Sequence, residues 1–101
     1  MANTFKSYQS TGITTETTVL TGPSSTQTTV IGLSIANTGA SLATVDVKLN
    51  TAYIVKAAPI PVGGALVAIG GEQKVVVEAT DTIKVTSDVT VDVCTSTLEI
   101  T

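Results

Sequence analysis

The apolar positions of this chain recur every second residue or cluster in short runs, and nowhere with the spacing of a helix. Ala43 to Leu49 is the clearest case: Val45, Val47 and Leu49 share one phase, and Thr44, Asp46 and Lys48 share the other. Thr28 to Ala36 alternates as well, with Ile31, Leu33 and Ile35 set against Gly32, Ser34 and Ala36. These two runs read as a hairpin around the loop Asn37 to Ser41. Ala52 to Ala58 is a further strand, with Tyr53 and Val55 on one face and Ile54 and Lys56 on the other. It ends at Pro59 and Pro61, which cannot donate to a ladder and so predict a sheet edge. Ala65 to Ile69 is apolar on both faces, as in a strand covered on both sides or touching a partner. Lys74 to Glu78 and Thr82 to Val85 follow as short strands. In the last run Val89, Val91 and Val93 share a phase, but Leu98 and Ile100 fall on the opposite one. That slip predicts a bulge or a change of partner between Cys94 and Thr97.

Turn formers bound each run: Gly22-Pro23-Ser24-Ser25 after a first strand at Thr17 to Thr21, Val62-Gly63-Gly64, Gly70-Gly71-Glu72 and Ala79-Thr80-Asp81. The stretch from Pro59 to Val85 therefore reads as turn and strand repeated, which buries nothing alone and needs a second sheet. The expected fold is all-β: a single antiparallel β-sandwich of about eight short strands, Ig-like or jelly-roll-like. No connection is long enough for a crossover helix. Residues 17–101 form this domain. Residues 1–16 are polar and rich in Thr and Ser, and read as an extended N-terminal arm. Phe5 and Tyr8 lie there, and aromatics are enriched in interface cores, so an arm docking on a neighbouring subunit is one expectation and a frayed terminus the other.

Composition sharpens this picture. The 101 residues allow one domain with one core. Aromatics make up only 3%, so that core is aliphatic. Charged residues make up 13%, about half the usual share, which points to a surface partly covered by neighbours. The net charge is −3 and all five basic residues are lysines, scattered along the chain without a patch. That argues against nucleic acid as a partner, since phosphate binding needs clustered cations. No run of about eighteen apolar residues appears, so no membrane helix is expected. The first residues lack the apolar core of a secretory signal.

Candidate chemistry is sparse. There is no histidine, which removes the commonest general base and metal ligand. Cys94 alone makes neither a zinc site nor an activated nucleophile. It is read either as a small residue tucked under a loop or as half of a disulfide between subunits. Asp81 and Asp88 flank one strand and could hold Ca²⁺, although aspartate as a turn former accounts for both. The glycine pairs introduce no helix and so cradle no phosphate. No enzyme, cofactor or metal is expected. Phe5, Tyr8 and Cys94 are the candidate subunit contacts.

Several strands resemble those of a family of small tailed-bacteriophage virion proteins. Thr29-Val30-Ile31-Gly32-Leu33-Ser34-Ile35-Ala36-Asn37-Thr38 is similar to its T-V-I-G-L-x-x-A-N strand, and Val45-Asp46-Val47-Lys48-Leu49 to the following V-x-V-x-L. Ala52-Tyr53-Ile54-Val55-Lys56 with Pro59-Ile60-Pro61-Val62-Gly63 resembles A-Y-x-V-K…P-x-P-x-G. Gly70-Gly71-Glu72-Gln73-Lys74-Val75 and Asp81-Thr82-Ile83-Lys84-Val85 resemble G-G-x-K and G-D-x-I-x-V, with Thr80 standing where glycine is usual. The resemblance spans roughly residues 28–100. It implies a β-sandwich used as a repeated building block: an accessory layer on the neck or collar, the tail or the capsid of a virion. Such a protein is assembled in the bacterial cytoplasm and then carried on the extracellular particle. Its partners would be copies of itself and other virion proteins, with no nucleic acid or membrane contact. An adhesion or fibre-associated module touching glycans or a host surface is the alternative, with Tyr53 as its exposed aromatic.

Overall fold

The structure, a computed structural model, describes residues 3–70 and 74–101. Part of the expected turn at Gly70-Gly71-Glu72 lies outside these residues. Nine strands and no helix are found among them: β1 (Asn3–Ile13), β2 (Thr17–Thr21), β3 (Gln27–Asn37), β4 (Ala43–Leu49), β5 (Ala52–Ile60), β6 (Ala65–Ile69), β7 (Val75–Val77), β8 (Thr82–Ser87) and β9 (Val91–Ile100). They form two antiparallel sheets. One has the order β1-β9-β3-β6, with β7 also pairing β3; the other has the order β2-β8-β4-β5.

The pairing is nested. Asn3 lies opposite Ile100, Thr17 opposite Val85, Thr28 opposite Val77, Ala36 opposite Ala65 and Leu49 opposite Ala52. The chain is therefore one long hairpin, doubled at Asn50 and Thr51 and then rolled so that its rungs fall alternately in one sheet and the other. With β6 and β7 as two halves of one strand along β3, this is the strand order of a jelly roll. Asn50 suits the doubling point because asparagine tolerates the left-handed region, where its φ is 54°. Its side chain ties the tip to the β7–β8 turn: Nδ2 donates to Asp81 Oδ1 at 3.1 Å, and Oδ1 accepts from the Thr82 amide at 3.0 Å.

The core between the sheets is aliphatic, as composition requires. Val30, Leu33, Ile35, Val45, Val47, Ile60, Ile69, Val77, Ile83, Val85, Val91 and Val93 are almost fully buried. The phases read for β4 and β8 hold: Val45 and Val47, and Ile83 and Val85, all face inward.

Four readings are corrected. The two runs read as a hairpin, β3 and β4, do not pair, because the chain crosses between sheets at the loop after Asn37. The N-terminal segment is an edge strand of its own domain, paired with β9 from Asn3 to Ser10 without a break, and Ile13 is buried in the core. Backbone pairing needs no apolar side chains, so a polar sequence hid the strand. The phase slip near Cys94 lies in β3 and not in β9. Thr97 and Ser96 lie opposite Val30 and Gly32, leaving Ile31 unpaired as the bulged residue. Ile31 thus leaves the inward face, while β9 alternates throughout, burying Thr95, Thr97 and Glu99 after Val93. In β5, Val55 pairs Val47 and Tyr53 pairs Lys48, so Tyr53 and Val55 lie on opposite faces, with Ile54 as the extra residue between them.

Candidate assembly surface

Opposed residues of antiparallel strands point to the same side of a sheet, so the register maps the outer face of the five-stranded sheet row by row. One row runs Phe5, Leu98, Thr29, Val76 from the β1 edge to the β7 edge. A second row, Gln9, Cys94, Ser34, Val67, lies further along the strands. Ser7, Ser96 and Gly32 lie between the two, and Asp92, Ala36 and Ala65 beyond the second. Among the paired residues of these rows Asp92 is the one charged side chain, and the exposed Lys74 and Glu78 flank Val76 at the β7 edge. Phe5 is 74% exposed, Val67 68% and Val76 57%, so three of the large exposed hydrophobic residues share this face. Leu98 is half-buried beside Phe5.

Cys94 sits in the middle of this face and is exposed. The reading of a residue tucked under a loop is therefore corrected. Its thiol is open to a partner, and no second cysteine exists in the chain to pair with it.

Tyr8 does something different from Phe5. It lies on the inner phase of β1, and its hydroxyl donates to Glu99 Oε2. Lys6 Nζ approaches Glu99 Oε1 at 3.6 Å. Glu99 itself is only 5% exposed, so its carboxylate is a nearly buried charge held by two residues of the neighbouring strand. The hydrogen bond to Glu99, then burial, then the carboxylate's own charge push the Tyr8 hydroxyl up to about 12. Tyr8 thus fastens β1 to β9 within one chain and is not a free docking group. Glu99 escapes a reading based on apolar periodicity because a buried carboxylate carries no apolar signal.

The outer face of the four-stranded sheet gathers what the linear sequence scattered. Register places Lys48 opposite both Lys84 and Tyr53. Lys56 Nζ sits 4.5 Å from the Tyr53 ring centre and Lys48 Nζ 5.6 Å, within cation–π range. Glu16 pairs Lys48 at 2.9 Å and Asp46 lies 3.9 Å from Lys56. The hydrogen bond from Lys48 is the main cause that lowers the Glu16 carboxyl and raises Lys48. Three of the five lysines therefore share one face around a half-exposed aromatic, with two carboxylates beside them.

Asp81 closes its own turn, and Asp88 ties the turn after β8 to the start of β4. Asp81 Oδ2 accepts from the Glu78 amide at 3.1 Å and Asp88 Oδ1 from the Thr44 amide at 2.8 Å. Among the described residues, no three of Cys, Asp or Glu converge as metal ligands would. No protein-family model, curated protein or solved structure matches this chain.

Proposed function

We propose that this protein is a non-enzymatic structural subunit that works by contact: a repeated accessory component of a tailed-phage virion, layered on its neck or collar, tail or capsid. The observation that carries the contact reading is the outer face of the five-stranded sheet. It presents Phe5, Leu98, Val76 and Val67 in rows whose paired residues include one charge, Asp92, with Lys74 and Glu78 at the β7 edge, on a two-layer sandwich. Exposed apolar surface of this kind marks an interaction site. The virion setting is supported by the strand motifs quoted above and is compatible with a jelly-roll strand order, a fold used in capsid layers and in lectins alike. Its partners are copies of itself and other virion proteins. The exposure of Cys94 at the centre of that face supports a disulfide with another subunit as part of this reading. Sedimentation of the purified chain and analysis of purified particles test this reading. Self-association and presence in particles support it; a monomer at every concentration that is also missing from particles refutes it.

A second reading rests on the other face. An exposed tyrosine flanked by lysines is a platform for an acidic sugar, with the ring stacking and the ammonium groups taking the charge. A glycan screen showing binding to acidic sugars, lost in Tyr53→Ala, would favour an adhesion module over the structural subunit.

A further inference from the structure

The four sheet edges are not equally guarded. A bare edge offers a row of unpaired N–H and C=O groups to any other strand, and natural proteins blunt it with bulges, prolines, charges or brevity. The β5 edge has Pro59, two register shifts against β4, and Ala57 at φ 52° with its amide held by Asp46 Oδ1. The β2 edge is five residues long and carries a register shift. The edge opposite β1 is split between β6, of five residues, and β7, of three. The β1 edge from Asn3 to Ser10 keeps the fewest of these defences. It is unbroken in register, holds no proline, and carries one charge, Lys6, already paired with Glu99.

We infer that β1 is the surface through which two copies of this chain join, pairing antiparallel about a two-fold axis centred on Phe5 so that the five-stranded sheets become continuous. A second copy fits because a two-fold strand pair is self-complementary: each edge supplies what the other needs. Charge allows it. Each chain is net −3, yet each edge is locally neutral, and in this register Lys6 lies opposite Thr4 of the second copy. The axis must pass through a residue, because opposed residues share a face and face alternates along the strand. Phe5 is the position that explains the surface. The row Val76, Thr29, Leu98, Phe5 ends at the edge in its most exposed member, and centring there sets the two phenyl rings side by side and continues the row into the second copy. A centre at Ser7 sets Phe5 against Gln9 and leaves the row broken. This inference deepens the contact reading and rests on it.

The test uses the full chain. In a Cys94→Ser background, Phe5→Cys is expected to give a covalent dimer on mild oxidation, because opposed positions on paired strands bring the two sulfurs within bonding range. Gln9→Cys in the same background is expected to remain monomeric on nonreducing gels. In sedimentation, Phe5→Lys should raise the dimer dissociation constant at least about tenfold by setting two like charges face to face. A wild-type chain that is monomeric throughout overturns this inference, and overturns the contact reading as well only if the chain is also missing from particles. A wild-type chain that associates, with Phe5→Lys unchanged and Phe5→Cys uncrosslinked, overturns the β1 edge alone. Crosslinking between Phe5→Cys and Gln9→Cys chains overturns the Phe5 centre.

Discussion

Tyr8→Phe isolates the tie between the first and last strands. The substitution keeps the ring and deletes the hydroxyl, which leaves Glu99, 5% exposed, with Lys6 as its remaining partner. A hydrogen bond to a charged acceptor is worth about 1.5–3 kcal/mol, and the cost is greatest when the acceptor stays buried. Lys6 sits 3.6 Å away on a side chain that is 53% exposed, so its share is screened and falls below about 1 kcal/mol. Tyr8→Phe should therefore destabilise more than Lys6→Met, and lower Tm by about 6 °C or more in a domain of this size. Urea unfolding followed by circular dichroism measures both. Alkaline pH provides a second reading. The folded Tyr8 hydroxyl titrates at about 12, above the unfolded value near 10. A raised tyrosine contributes stability that is present below about pH 10 and lost as pH climbs through about 12. The gap between wild type and Tyr8→Phe should close across that window. If Tyr8→Phe falls within about 0.5 kcal/mol of wild type, or the gap ignores alkaline pH, then β1 is not held as described.

Three further substitutions probe the sandwich. Val47→Asp places a carboxylate at a position 0% exposed between Val55 and Val85, and should cost at least about 3 kcal/mol in denaturant unfolding or prevent folding. Thr95→Val should stabilise by about 1 kcal/mol, because its hydroxyl is buried without a hydrogen-bond partner and valine has nearly its shape; a drop in the urea midpoint refutes this. Thr80→Gly should also raise Tm. Threonine holds φ 70° there, a left-handed conformation that costs a β-branched residue about 1–2 kcal/mol and glycine little, offset in part by glycine's greater freedom when unfolded.

The strands best read in the sequence are those where chemistry and geometry coincide. In β4 and β8 every inward position up to Val47 and Val85 is aliphatic and every outward neighbour polar, so alternation alone identifies the faces. Where polar side chains are buried, the same reasoning inverts. Thr95, Thr97 and Glu99 lie on the inward face of β9, and Leu98 and Ile100 on the outward one, which mimics a slip the strand does not have. The bulge at Ile54 shifts phase without a glycine or proline beside it, whereas the one at Ile31 sits next to Gly32, whose signal the surrounding alternation masks. The sites were harder still. Phe5 and Cys94 do lie on one exposed face, but Tyr8 belongs to the opposite phase of its strand. The lysine group around Tyr53 depends on pairing between residues as far apart as Lys48 and Lys84, a relation no local pattern contains.

A chain doubled once at its middle has a built-in order of closure. Each rung formed near Asn50 shortens the loop that the next must close, so zipping outward from the tip costs less entropy than joining the ends first. The outermost rung, which carries both termini, comes last on folding and opens first. Amide exchange should therefore be faster in β1, the edge half of that last rung, than in β4 beside the doubling point.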